Sequence, residues 1–266
     1  MNKLRGLAVA VTGLPGLIVV LIAVVGPWVT PQSPTETIGP AYHGPAPGTP
    51  LGTDYLGRDV LSRILDGGHD LLVLPLIATA LATTVGVLVG IAIGYLGGWI
   101  DSAVLRLIDV LLAIPVLLVL LVIVSGWGGG RTVLVIAVAL TGAPFIARLT
   151  RSATLQVVTS GYVEQARAAG EATASILTRE ILPNIAGPLL ANTGLFLVGS
   201  FYLVASASYL GFVSGGPTAD WAVMINENIQ GITLSPYAVL IPVILIAALA
   251  ISVNLLVDRF ARGLGR

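Results

Sequence analysis

The feature that most constrains this chain is a succession of six mainly apolar windows, at residues 7–29, 71–95, 103–125, 132–149, 187–210 and 236–257. A hydrocarbon core of about 30 Å takes roughly 20 such residues as a helix, so each window is long enough to span a bilayer. Spans must satisfy their own backbone hydrogen bonds, and a barrel would alternate over much shorter segments, so these windows predict helices. The expectation is an all-α membrane protein with six transmembrane helices. Composition agrees: 56% of the 266 residues are hydrophobic, and the mean hydropathy is +0.97. The first window resembles a secretory leader, but its apolar run is too long, and Pro27 and Pro31 stand where small residues would be cleaved. It reads as a retained anchor.

Orientation comes from the placement of the basic residues. Lys3, Arg5, Arg106, Arg148, Arg151, Arg167, Arg179, Arg259, Arg262 and Arg266 fall on one side of the alternating loops, and only Arg58, Arg63 and Arg131 on the other. The side rich in Lys and Arg is cytoplasmic. Both termini are therefore expected in the cytoplasm, with loops 30–70, 126–131 and 211–235 outside. Trp28, Trp99 and Trp127 fall at window ends, the headgroup level that amphipathic rings prefer. Pro75, Pro115, Pro144 and Pro242 lie within or near windows, either as gating kinks or as bends tolerated by packing.

Several chemistries are disfavoured. Lys plus Arg equals Asp plus Glu at 13 each, so no global field recruits nucleic acid. Cysteine is absent, and the single lysine, Lys3, cannot serve a phosphate-cradling loop, so the chain has no P-loop. The glycines of GWGGG at 126–130 suit an outer turn. His43 and His69 are far apart in one loop, without ligand spacing, which argues against a metal site or a hydrolase centre. The alternative of a secondary transporter or channel without an ATPase partner calls for ionisable residues near the midplane. Asp109 is the only carboxylate well inside a window, and Arg106, three residues away, is its expected partner.

Two loops carry more information. The outer one opens with PQSPTETIGPAYHGPAPGTP, a composition suited to an extended connector. It continues as LGTDYLGRDVLSRIL, which predicts a short amphipathic helix with Val60, Leu61, Ile64 and Leu65 on one side. Arg58, Asp59, Ser62, Arg63 and Asp66 lie on the other side, with Asp59 and Arg63 spaced to pair. Such a helix lies on the membrane surface or against the bundle. The cytoplasmic loop TSGYVEQARAAGEATASILTREILPN, residues 159–184, reads as helix, Gly, helix. Ser160 is the expected N-cap, Glu164 suits the first-turn dipole, and Gly170 can end the helix in a left-handed conformation. A second helix from about Thr173 is expected to stop before Pro183. Ala166, Ala168 and Ala169 leave part of the first helix bare enough for another protein to approach. The loop is then either a contact of this kind or a plain elbow between spans.

These residues resemble the coupling motif of ATP-binding cassette (ABC) importer permeases. Glu164, Ala166, Gly170, Leu182 and Pro183 match at the family's spacing, while Gln165 and Glu180 depart from it. Three further stretches are similar to the C-type subunit of dipeptide and oligopeptide importers: LGTDYLGRDVLSRIL, GYLGGWIDSAVLRLIDVLLAIP at 94–115, and YLGFVSGGPTADWAVMI at 209–225. The family commonly has His before the first signature's Pro, where this chain has Thr49.

The resemblance implies a type I ABC importer permease in a bacterial plasma membrane, a half-pore for di- or oligopeptides and not itself an enzyme. It implies a homologous second permease of B type, P-loop ATPase subunits that carry ATP and Mg, and an extracytoplasmic peptide-binding protein. This chain would bind no cofactor. Residues 1–70 would form an anchor helix and outer loop, and residues 71–266 a five-helix core with its coupling loop at about 155–185. The coupling contact would involve Glu164, Ala166, Arg167, Ala168, Ala169, Gly170, Leu182 and Pro183. Asn192, Gly199, Tyr202 and Ser206 recur on one face of the fifth window, either lining a pore or packing against a neighbouring helix.

Overall fold

The computed structural model describes residues 2–213 and 219–264, with side chains over 14–213 and 219–259. The side chains of Lys3, Arg5 and Arg262, used above for orientation, lie outside those described, and Arg266 and residues 214–218 of the last signature lie outside the described residues.

The described residues of each window are mainly helical, the third with a break at Ile114 and Pro115. The elements are α1 (Asn2–Val25), α2 (Val60–Asp66), α3 (His69–Leu96), α4 (Gly98–Ala113), α5 (Val116–Gly126) and α6 (Arg131–Val157). They continue as α7 (Gly161–Ala168), α8 (Thr173–Ser175), a π-helical turn (Ile176–Ile181), α9 (Leu182–Tyr209), α10 (Trp221–Asn228) and α11 (Tyr237–Leu264). Among the described residues four helical stretches are long and apolar enough to cross a membrane: Val60–Leu96, Arg131–Val157, Thr173–Tyr209 and Tyr237–Arg259. The pair α4 and α5 makes a fifth if it is one span bent by 87°. The bend has a local cause. Proline forces the preceding residue out of the helical region, and Ile114, before Pro115, sits at φ −83°, ψ 130°. Pro75, Pro144 and Pro242, by contrast, lie inside continuous helices. Trp28, Trp99 and Trp127 are exposed, 63–81% of each surface remaining open.

The chain divides into two compact units. The first comprises residues 1–76, 124–134 and 201–256. Its Pro-rich stretch is not the extended connector expected from composition. Backbone bonds from Ile38 to Gly57, Tyr42 to Asp54 and Thr53 to His43 fold it back on the GTD signature. A loop can be fixed by its own amide pairing without an apolar core, and composition does not report that. Trp221, fully buried, donates its indole N–H to the carbonyl of Ile64 at 2.7 Å. Asp220 caps α10 by accepting from the amides of Ala222 and Val223.

The second unit comprises residues 77–123, 135–200 and 257–266. One close seam joins α3 to α6 through Gly86, Gly90 and Gly94. A Cβ added at Gly90 would lie 2.5 Å from the Ala147 carbonyl oxygen, and one at Gly94 would lie 2.9 Å from the Cβ of Thr154. Small residues at four-residue spacing let membrane helices pack backbone to backbone, where van der Waals contact supplies the attraction. Thr79 and Ser200 add a buried hydroxyl pair at 2.9 Å, and Arg151 grips Asp101 of α4 with both carboxylate oxygens engaged.

Candidate functional site

The cytoplasmic loop is built by local rules. Ser160 occupies the N-cap of α7 with an extended backbone, but its hydroxyl bonds back to Val157 and does not cap. Its carbonyl accepts from Val163 and Glu164 and starts the helix. At the other end Gly170 has φ 77°. The Gly170 amide donates to Arg167 at 3.0 Å and the Glu171 amide to Ala166 at 3.1 Å. These two bonds form a Schellman motif, which needs a left-handed residue at the Gly170 position and satisfies carbonyls the helix end would orphan.

Docking follows from burial. Val163 and Ala166 are buried in one cluster with Ile91 of α3, Ile176 and Ile181 of the π turn and Ile185 of α9. Arg167 lies over the ring of Tyr95, 4.5 Å from its centroid, a cation–π contact that further ties α7 to α3. Glu164, Arg167, Ala168, Ala169 and Gly170 remain exposed. Of the residues named for coupling, Ala166 therefore faces inward and the other α7 positions outward. Leu182 is half-buried against the cluster and Pro183 is exposed.

The expected stop before Pro183 is corrected: α8, the π turn and α9 run on as one 37-residue helical stretch, Thr173–Tyr209. Proline removes an amide donor and crowds the preceding turn. Here the turn is widened, with the Leu182 amide bonding five residues back to Leu177, and a π-bulge of this kind lets the chain accommodate proline without ending the helix. On α9, Gly199 and Tyr202 are exposed while Asn192 and Ser206 are half-buried.

Two further expectations are corrected. Asp109 pairs with Arg148 of α6 rather than Arg106, because the next helix brings a cation closer than the neighbouring turn does. The polar side of α2 faces inward: Arg58, Asp59, Ser62 and Arg63 are all buried. Asp59 caps α2 through the amide and hydroxyl of Ser62 and does not pair with Arg63. Arg63 instead bonds Asp54 at 2.5 Å and Glu227 at 2.8 Å, while Arg58 bonds the same two carboxylates at 2.7 and 2.9 Å. Tyr55 donates its hydroxyl to Glu227 at 3.1 Å, and its amide donates to Asn228. Burial, and then the Glu227 charge, pushes the Tyr55 hydroxyl up, keeping it a donor. Burial alone would lower Arg58, but Asp54 and Glu227 outweigh it and hold it above its ordinary value. Sequence reasoning missed Glu227 because it lies 164 residues beyond Arg63. No local charge imbalance pointed to it, since Asp54, Asp59 and Asp66 already outnumber Arg58 and Arg63 in this segment.

Comparison with known proteins agrees with this architecture. Residues 86–266 match the family model described as binding-protein-dependent transport system inner membrane component. The chain is 33% identical over 249 residues to the dipeptide transport system permease protein DppC of Haemophilus influenzae, covering 91% of this chain and 84% of that protein. It is 33% identical over 244 residues to the glutathione transport system permease protein GsiD of Shigella flexneri, covering 91% of this chain and 80% of the relative. Among solved structures, one of inward-facing MetNI methionine ABC transporter superposes with a TM-score of 0.62 at 19% identity, covering 78% of this chain and 97% of that one.

Proposed function

Because this chain belongs to the binding-protein-dependent inner membrane component family, as a peptide-importer ABC permease subunit, we propose that α7 is the lever through which a separate ATPase moves it. The chain is a multi-pass bacterial inner-membrane protein and a non-catalytic subunit. The observation that carries the reading is a short helix fixed on its inner side by Val163 and Ala166, ended by a Schellman turn, and open on its outer side. A groove on an ATPase surface can receive such a helix, and the docking on α3 and α9 can pass the movement on to membrane helices as a rigid-body rocking.

The wider reading comprises six spans, α1, α3, the bent pair α4–α5, α6, α9 and α11, with both termini cytoplasmic. Residues 1–70 act as anchor and outer loop and 71–266 as core, and the exposed face of α9 at Gly199 and Tyr202 continues through Asn192 and Ser206 as pore wall. Substrates are small peptides, by extension from the dipeptide and glutathione relatives. A B-type permease, P-loop ATPases holding ATP and Mg, and an extracytoplasmic binding protein complete the machine.

The test is reconstitution of this chain with its second permease, ATPase and binding protein in vesicles. Uptake of a dipeptide should require ATP and the ATPase subunit. Uptake that persists without the ATPase and follows an ion gradient would establish a secondary transporter instead.

A further inference from the structure

An apolar cavity of about 390 Å³ opens where α4 breaks into α5, lined by Leu112, Ile114, Pro115 and Val119 together with Thr141 and Pro144 of α6. The break and the proline inside α6 leave the two helices unable to close over one another there. Asp109 lies one turn before Leu112 on α4, and Arg148 one turn after Pro144 on α6. Spacings of three and four residues share a helix face, so the Asp109–Arg148 ion pair stands beside the cavity on the same two helices. Its side chains are 56% and 43% exposed, although both helices belong to membrane-length apolar stretches. The Arg148 Nε has no hydrogen-bond partner among the described residues.

Asp109 lies inside its window and Arg148 at the cytoplasmic end of its own, and ionisable residues within spans face protein or a water-filled path. An acyl chain could fill the cavity but has nothing to offer Asp109. A peptide has both chemistries: an apolar side chain, an ammonium for Asp109 and a carboxylate for Arg148. The volume falls in the range of about 300–1,000 Å³ usual for small-molecule pockets.

We infer that the α4–α5 elbow cavity, with Asp109 and Arg148 beside it, is a substrate subsite of the translocation path, taking one apolar side chain and the charged termini of a passing peptide. This rests on the peptide-importer reading above. The native chain contains no cysteine, so Leu112→Cys or Thr141→Cys gives this subunit a single thiol within the assembled transporter, and labelling is read on this subunit. A dipeptide carrying an activated disulfide should label both positions only during ATP turnover, and excess unmodified dipeptide should suppress the labelling. Thr141→Trp, which fills the cavity, should reduce uptake of a Phe-containing dipeptide relative to Gly-Gly by about tenfold or more, the scale of a pocket-volume effect. Labelling indifferent to ATP and dipeptide, labelling by a photoreactive lipid in place of the peptide, or an equal fall for both dipeptides would overturn the subsite. A transporter that assembles but shows no ATP-dependent uptake at all refutes the parent reading instead.

Discussion

Replacing Gly170 by valine isolates the conformational demand at the end of α7. The residue sits at φ 77° and is exposed, and a Cβ built on it meets no heavy atom within 4 Å. Steric crowding with the rest of the chain therefore contributes nothing, and the whole effect is backbone strain. A left-handed conformation costs a non-glycine residue about 1–2 kcal/mol, and β-branching adds to it. The strain is relieved by fraying the two Schellman bonds, to Arg167 and Ala166, which releases the C-terminal turn of α7 while Val163 stays docked. If the ATPase must find that turn in place, a cost of this size lowers the competent population by about five- to thirtyfold. The assay is ATP hydrolysis and dipeptide uptake by the assembled complex, with insertion and expression as controls. Gly170→Val should insert normally and lose coupled transport by that factor, and Gly170→Asn should lie near wild type because Asn tolerates the conformation. Wild-type rates with Gly170→Val would refute the lever, and equal damage from Asn and Val would refute the φ argument.

Other consequences are testable separately. Burial pushes Asp220 up from 3.8 to about 6, more than the amides of Ala222 and Val223 draw it down. The buried acid holds its proton more tightly in the folded state, so its stabilising contribution is full below the unfolded value and is lost as pH rises through about 6, with a cost of about 3 kcal/mol near neutral pH. Asp220→Asn retains the capping acceptor and should raise Tm at about pH 7.5 with little change near pH 4; an equal shift at both would exclude this cause. Gly90→Val drives a side chain into the Ala147 carbonyl and should cost about 1–3 kcal/mol or more by overpacking, lowering the yield of folded protein, whereas Gly126→Ala, in open space, should be neutral. Asp54→Asn leaves buried Arg58 and Arg63 undercompensated and should cost about 3–5 kcal/mol, seen as a large Tm fall; a fall no greater than that of exposed Glu36→Gln would show the cluster to be incidental.

What the sequence determined by itself was whatever depends on neighbours along the chain. The apolar windows became helices because a buried backbone has no other way to satisfy its amides. Gly170 took its left-handed turn because α7 ends there, and Ile114 broke α4 because Pro115 follows it. Tertiary structure decided the partners. The polar face of α2 turned inward because Glu227 from the distant helix α10 meets Arg58 and Arg63, and Asp109 chose Arg148 over Arg106 because α6 lies alongside α4. Pro183 failed to end its helix because the π turn before it changed the hydrogen-bond register. Local rules carry the cost of a conformation; which charge neutralises which, and whether a proline's cost is absorbed, depends on segments brought together only by folding.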